Sequence, residues 1–232
     1  MPKVHTLTAF DVDIDGMRSA VITMGGLVEK QFTRAVDAVR YCDLRLITQV
    51  LSDEQIVNQL HIQADLLCNQ ILARRQPFAV DLREVIAAIH SVNDLERVGD
   101  EAKKIALKAR DMETNAQRLG LPLDRVHAMA EGVRVMLERA LDAVVRHDPG
   151  VATELVQRDL EIDAQREALR KDLMQRMSTD SETVSAALDL IFVVQSIERV
   201  GDHAKNIAEY VVNVVQGVDL RHAPHAAAAI NR

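Results

Sequence analysis

Tryptophan is missing from these 232 residues, and aromatics of all kinds make up only 3%. The 48% of the chain that is hydrophobic is therefore carried by Ala, Val, Leu, Ile and Met. Such a core suits closely packed helices better than sheets, which draw on aromatic and β-branched side chains. Glycine and proline are scarce too, nine and five, so turns are few and the elements between them long. Only two cysteines occur, Cys42 and Cys68, inside helical stretches and without framework spacing. They read as small buried thiols of a reducing compartment, not as a disulfide or a metal site. Positive charge is in deficit: the formal net charge is -7 and no basic stripe is present, which argues against nucleic acid as a partner. No apolar run reaches the roughly 20 residues that cross a bilayer. Met1 to Gly16 carries Asp11, Asp13 and Asp15 and lacks the apolar centre of a secretory signal. A cytoplasmic location is expected. A nucleophile elbow, a P-loop and a Gly-rich phosphate loop are also lacking, so the chain is not expected to be an enzyme.

What is present is helical periodicity. Met17, Ile22, Met24, Val28, Phe32 and Val36 mark a first helix near 13–42, which Gly25-Gly26 interrupts, either as a kink or as a point of close approach. A second helix runs near 44–75 and stops at Gln76-Pro77. A third covers about 79–113, and Gly120-Leu121-Pro122 is the best linker in the chain. Helices resume at about 124–147. Asp148-Pro149 then reads as an N-cap followed by Pro at the first helical position, opening a helix to about 177. Thr179 and Glu182 have capping-box spacing before a last helix to about Gln216.

The two halves repeat. Shifted by 105 positions, Met24, Arg34, Ala35, Asp37, Ala38, Val39 and Asp43 fall on Met129, Arg139, Ala140, Asp142, Ala143, Val144 and Asp148. Shifted by 102, Glu96-Arg97-Val98-Gly99-Asp100 falls on an identical Glu198-Arg199-Val200-Gly201-Asp202. The offset changes around the hairpin between the second and third helix of each half, where loop length is free to vary. The expected architecture is all-α: two repeated three-helix bundles, residues 13–118 and 122–217, with flexible termini at 1–12 and 218–232.

Acidic residues occupy the wrong face for a solvated surface. At 100° per residue, Glu96 and Asp100 project into or beside the apolar stripe of Leu82, Val85, Ile86, Ile89 and Leu107. Glu198 and Asp202 do the same in the last helix, as do Glu54, Asn58, Asp159 and Asp163 in the helices before. Residues equidistant from a helical hairpin's turn share one depth, so Glu54 pairs with Asp100 and Asn58 with Glu96. Likewise Asp159 pairs with Asp202 and Asp163 with Glu198. Each half thus gathers four oxygen-bearing side chains that repel unless compensated. Two compensations compete: resident cations (Arg97, Arg199, Arg166, Lys205), or a hard metal ion such as iron(III), manganese, magnesium or calcium. A di-iron oxygenase needs Glu-x-x-His on two helices, and this chain has Glu96-Arg97-Val98-Gly99 and Glu198-Arg199-Val200-Gly201. His90 reads as a satisfied bundle histidine, His203 as an extra ligand whose direction leaves the stripe, and His222 and His225 as tail residues. Asp94 and Asp111 read as solvated surface.

These residues carry a resemblance. Leu95-Glu96-Arg97-Val98-Gly99-Asp100 and Ile197-Glu198-Arg199-Val200-Gly201-Asp202-His203-Ala204-Lys205-Asn206-Ile207 look like the twin Glu/Asp-x-x-x-Asp signatures of the PhoU family. Arg75-Gln76-Pro77-Phe78-Ala79-Val80-Asp81-Leu82-Arg83 resembles its turn between second and third helices, and Met24-Gly25-Gly26-Leu27-Val28-Glu29 its first helix. The match runs from about residue 10 to 220. It implies a pair of three-helix bundles holding metal, iron or zinc in relatives, at Glu96, Asp100, Glu198 and Asp202, joined by Glu54, Asn58, Asp159 and Asp163. Asn58 stands opposite Asp163 in the repeat, so weaker metal binding is expected in the first half. The resemblance further implies a negative regulator of the phosphate-starvation response that restrains uptake. Its expected partners are the ATPase subunit of the phosphate ABC importer and a sensor histidine kinase, with membrane association only through them, and a homodimer. The competing expectation is a metal-binding helical bundle or buffer with no signalling partner.

Overall fold

The breaks after the first and second helices and the end of the last helix each have their own local chemistry. Asp43 accepts the Arg45 N–H at 2.9 Å, capping the helix that follows. Gln76, at φ 48°, ends that helix in the left-handed region just before Pro77. Gly217, at φ 73°, closes the last one. The computed structural model describes residues 8–112 and 119–218, which form six helices. They are α1 (Thr8–Tyr41), α2 (Leu44–Arg75), α3 (Val80–Met112), α4 (Leu123–Arg146), α5 (Gly150–Thr179) and α6 (Val184–Gln216), the last preceded by a 3-10 turn at Ser181–Thr183. The expectations for most of segments 1–12 and 218–232, with His222 and His225, lie outside the described residues.

Four details differ from the sequence reading. Helix α1 begins at Thr8, ahead of residue 13, and Asp11 in its first turn suits the positive end of the helix dipole. Cys42 lies in the α1–α2 turn at φ 53° and is half-buried, whereas Cys68 is buried and its thiol is pushed up to about 11, chiefly by burial. Pro149 caps α5 and Asp148 accepts the Gly150 N–H, so the helix starts one residue later. Thr179 still belongs to α5, its hydroxyl turned back to the carbonyls of Gln175 and Arg176. The cap at that break is Asp180, which accepts the Glu182 N–H at 2.9 Å.

Gly25-Gly26 does not break α1. A Cβ at Gly25 would collide with Leu141 of α4, whereas one at Gly26 meets open space. Close approach is therefore the reason for the first glycine, and it brings the two halves together.

Helices α1–α3 pack on one another, as do α4–α6, but the most extensive helix pair in the molecule is α3 against α6. These two run antiparallel: Arg83 Nε donates to the Val214 carbonyl at one end, and Lys108 pairs with Asp189 at the other. The buried apolar residues of both halves form one continuous core. With about 25 cal/mol gained per Å² of apolar surface buried, this shared seam ties the repeats into one unit. No helix among the described residues is long and apolar enough to cross a membrane.

Candidate functional site: two acidic sets and the seam between the repeats

In the first half Glu54 is buried. Its Oε2 accepts from Gln31 Nε2 at 3.1 Å, and that amide also donates to the Val50 carbonyl. Its Oε1 faces Lys103 Nζ at 3.7 Å and accepts from Asn58 Nδ2 at 3.4 Å. Gly99 leaves room for this, because a Cβ there would stand 3.3 Å from Glu54 Oε2. Hairpin symmetry thus correctly sets Glu54 against the turn of α3 that bears Glu96 and Asp100. Those two acids are half-buried and make no ion pair among the described residues, while Asn58 is exposed. The exposure of Asn58 departs from the inward direction expected of it.

The second half compensates differently. Lys205 Nζ makes a short contact with Asp159 and a 3.1 Å one with Asp202. Arg166 bridges Asp163 at 3.3 Å and Glu198 at 3.2 Å. Burial pushes the Glu198 carboxyl up, with Asp202, Asp163 and Asp159 adding to the rise against the pull of Arg166. Burial also raises Asp159, and the hydrogen bond and charge of Lys205 do not fully offset it. Glu198 and Asp159 therefore feel the neighbouring carboxylates as well as their own burial, even with two cations among the acids.

The donor chemistry of both sets, carboxylates and one amide, suits a hard ion. Their placement does not fit one. Among the described residues no three His, Cys, Asp or Glu side chains converge as ligands, and Arg166 and Lys205 stand between the acids of the second half. Of the other cations expected to compensate, Arg199 turns to Glu101 at 3.4 Å, and Arg97 makes no ion pair among the described residues.

Two acids that looked like surface or went unremarked lie at the α3–α6 seam. Asp94 is 6% exposed, which corrects its reading as solvated surface. His203 Nδ1 donates to it at 2.8 Å, the Tyr210 hydroxyl at 2.7 Å and Asn206 Nδ2 at 3.5 Å. His90 stacks on the Tyr210 ring at 5.2 Å, completing the cluster as a packed side chain. Glu101 is 5% exposed and takes Lys104 at 2.8 Å along with Arg199. Burial pushes its carboxyl up, but hydrogen bonds from Lys104 and Ser196 and the charges of Lys104 and Arg199 outweigh this and hold it below the usual range. The 102-residue repeat maps Asp94 onto Ser196 and Glu101 onto His203. The two contacts are thus images of one another across the seam, each with a single carboxylate, and both carboxylates belong to α3. A signal existed in the sequence: His203, Asn206 and Tyr210 form a polar stripe at helical spacing on a helix otherwise apolar on that side.

The seam opens outward into two adjoining grooves. The first holds Arg97, Asp100, Glu101, Asp202 and His203. The second holds Leu107, Lys108, Phe192, Gln195 and Ser196, and Lys104 and Arg199 line both.

Known proteins share this arrangement at the level of sequence and fold. The model of the PhoU domain matches twice, over residues 21–109 and 126–211. A phosphate-specific transport system accessory protein PhoU homolog of Pseudomonas aeruginosa is 39% identical over 219 residues, 94% of this chain and 90% of that protein. The phosphate-specific transport system accessory protein PhoU of Escherichia coli is 34% identical over 218 residues, again 94% and 90%. The crystal structure of PhoU from P. aeruginosa superposes with a TM-score of 0.86 at 38% identity, covering 90% of this chain and 100% of that one. That of the phosphate transport system regulatory protein PhoU from Streptococcus pneumoniae gives 0.83 at 27%, covering 90% and 98%. Twin three-helix repeats joined along α3 and α6, with the acidic signature once in each, and a likeness spanning both repeats lead to one assignment: this chain belongs to the PhoU family.

Proposed function

We propose that this protein is a cytoplasmic, non-catalytic accessory of the phosphate-specific transport system. It links the ATPase subunit of the phosphate ABC importer to a sensor histidine kinase, holding the kinase off and restraining uptake when phosphate is plentiful. The observation that carries this reading is the likeness to named accessory proteins of that system over 94% of the chain and 90% of theirs. The geometry is in keeping with it. Most polar side chains of the acidic sets and the seam serve as inter-helix ties. The test is alkaline phosphatase activity at high phosphate in a strain lacking the protein. High activity that a plasmid copy returns to low supports a negative regulator. Unchanged low activity would leave a helical bundle without this signalling role.

A further inference from the structure

The groove at the α3–α6 seam is unlike the rest of the surface. Its floor is apolar, Leu107 from α3 and Phe192 from α6, and Phe192 is 46% exposed. Upstream on α6, Leu188 and Val184 continue the exposed apolar line at four-residue spacing. Three cations edge the groove, Lys104, Lys108 and Arg199, and no carboxylate lines it. In a chain of net charge -7 this concentration is unusual. The cations are also positioned. Lys108 is held by Asp189 at 2.8 Å with its ammonium 5.2 Å from the Phe192 ring centre. Lys104 and Arg199 are both anchored on buried Glu101 while lining the groove. Asp100 and Asp202 in the adjoining groove set the limit of the cationic zone.

We infer that this groove is a docking site for an amphipathic helix of a partner protein, one with an aliphatic or aromatic anchor flanked by Asp or Glu. The anchor fills the space between Leu107 and Phe192, where an exposed apolar surface otherwise stays in water. The flanking carboxylates meet Lys104, Lys108 and Arg199, which gives register and speeds encounter more than it adds affinity. A basic or nucleic-acid partner is unsuited: the first is repelled at the groove, the second by the acidic remainder of the chain. The inference rests on the adaptor reading and names the surface that reading needs.

The test uses the full chain and, as probes, the purified ATPase subunit of the phosphate importer and the cytoplasmic region of the sensor kinase. Binding to each is measured for wild type, Phe192→Ala, Lys108→Gln and a control, Phe78→Ala, at the far end of the molecule and 84% exposed. Phe192→Ala is expected to weaken one probe about tenfold or more, as truncation of a central anchor does, with unchanged helix content and melting temperature. Lys108→Gln should flatten the salt dependence of association, and Phe78→Ala should change neither. A photo-crosslinking residue at Gln195 should then capture a segment of that probe with acidic residues beside an apolar one. Equal binding by Phe192→Ala overturns the docking site and leaves the adaptor reading intact. So does a Phe192-dependent self-association that leaves probe binding unaltered, since the occupant is then a second copy. Wild type that binds neither probe removes the adaptor reading, and the inference with it.

Discussion

The two repeats solve one electrostatic problem in two ways, and two equivalent positions account for the difference. Glu54 and Asp159 occupy the same repeat position, as do Lys103 and Lys205. In the first half, however, Gln31 supplies the close donor, and Lys103 stays at 3.7 Å and 40% exposed. In the second half Met136 stands where Gln31 would be and offers no hydrogen, so Lys205 closes on Asp159. His61 in the first half corresponds to Arg166 in the second, and only the arginine bridges two acids. A neutral amide in one bundle and two cations in the other do the same task. Duplicated scaffolds can therefore diverge in charge at constant fold.

The largest expected effect separates the mirrored contacts of the seam. Asp94→Ala removes the buried acceptor shared by His203, Tyr210 and Asn206, and breaking such a network costs about 3 kcal/mol or more. Ser196→Ala, at the equivalent position, removes one hydrogen bond to a Glu101 that keeps Lys104 and Arg199, a loss of about 1 kcal/mol. Urea unfolding of both variants checks this, and equal losses would mean that the seam is not organised around Asp94.

Next in size is the exchange of compensation. Gln31→Met gives the first half the side chain that the second half carries, in a fully buried position. Glu54 then loses its close donor and the Val50 carbonyl loses its extra one, at about 2 kcal/mol for a buried carboxylate left with the longer contacts to Asn58 and Lys103. Denaturation that finds no loss would show that Lys103 moves in as Lys205 has done.

How much of this was legible in the sequence follows the same division. The six helices, their order and the doubling could be read because Leu, Val and Ala recur at helical spacing and the breaks carry Gly, Pro and Asp. The acidic sets could be placed by hairpin symmetry, which found Glu54 opposite the Gly99 turn. Asp94 could not be placed this way. It lies on the face of α3 turned to the other repeat, and symmetry within one hairpin says nothing about a contact between hairpins. The cap at Asp180 was displaced by one residue because Ser178, Thr179, Asp180 and Ser181 stand together there and any of them can cap, and the start at Asp148 moved by a single residue, within the ordinary spread of helix ends.

Resident cations can also be removed directly. Arg166→Gln with Lys205→Gln leaves Asp159, Asp163, Glu198 and Asp202 without their two counter-charges. Iron or manganese retained after dialysis is expected to rise several-fold over wild type, read by elemental analysis. The corresponding change in the first half, Lys103→Gln, should have little effect, because Lys103 is a distant partner. Metal retained equally by wild type would show that the cations yield to an ion.

The smallest effect is the most specific to the second half. The Glu198 carboxyl is held above the ordinary glutamate value by burial and then by Asp202, Asp163 and Asp159. A carboxyl raised on folding binds its proton more tightly in the native state. Its contribution therefore favours the fold as pH falls from neutral, and opposes it once the pH has risen through the folded value. Glu101, held low at the seam, works with the opposite sign: its stabilisation is present above the unfolded value and lost as pH falls through the folded one. Carbon-detected NMR titration should find Glu198 above and Glu101 below the ordinary range. Asp202→Asn removes the nearest like charge and should move Glu198 back toward it while leaving Glu101 in place. If Glu198 does not move, burial alone sets its value.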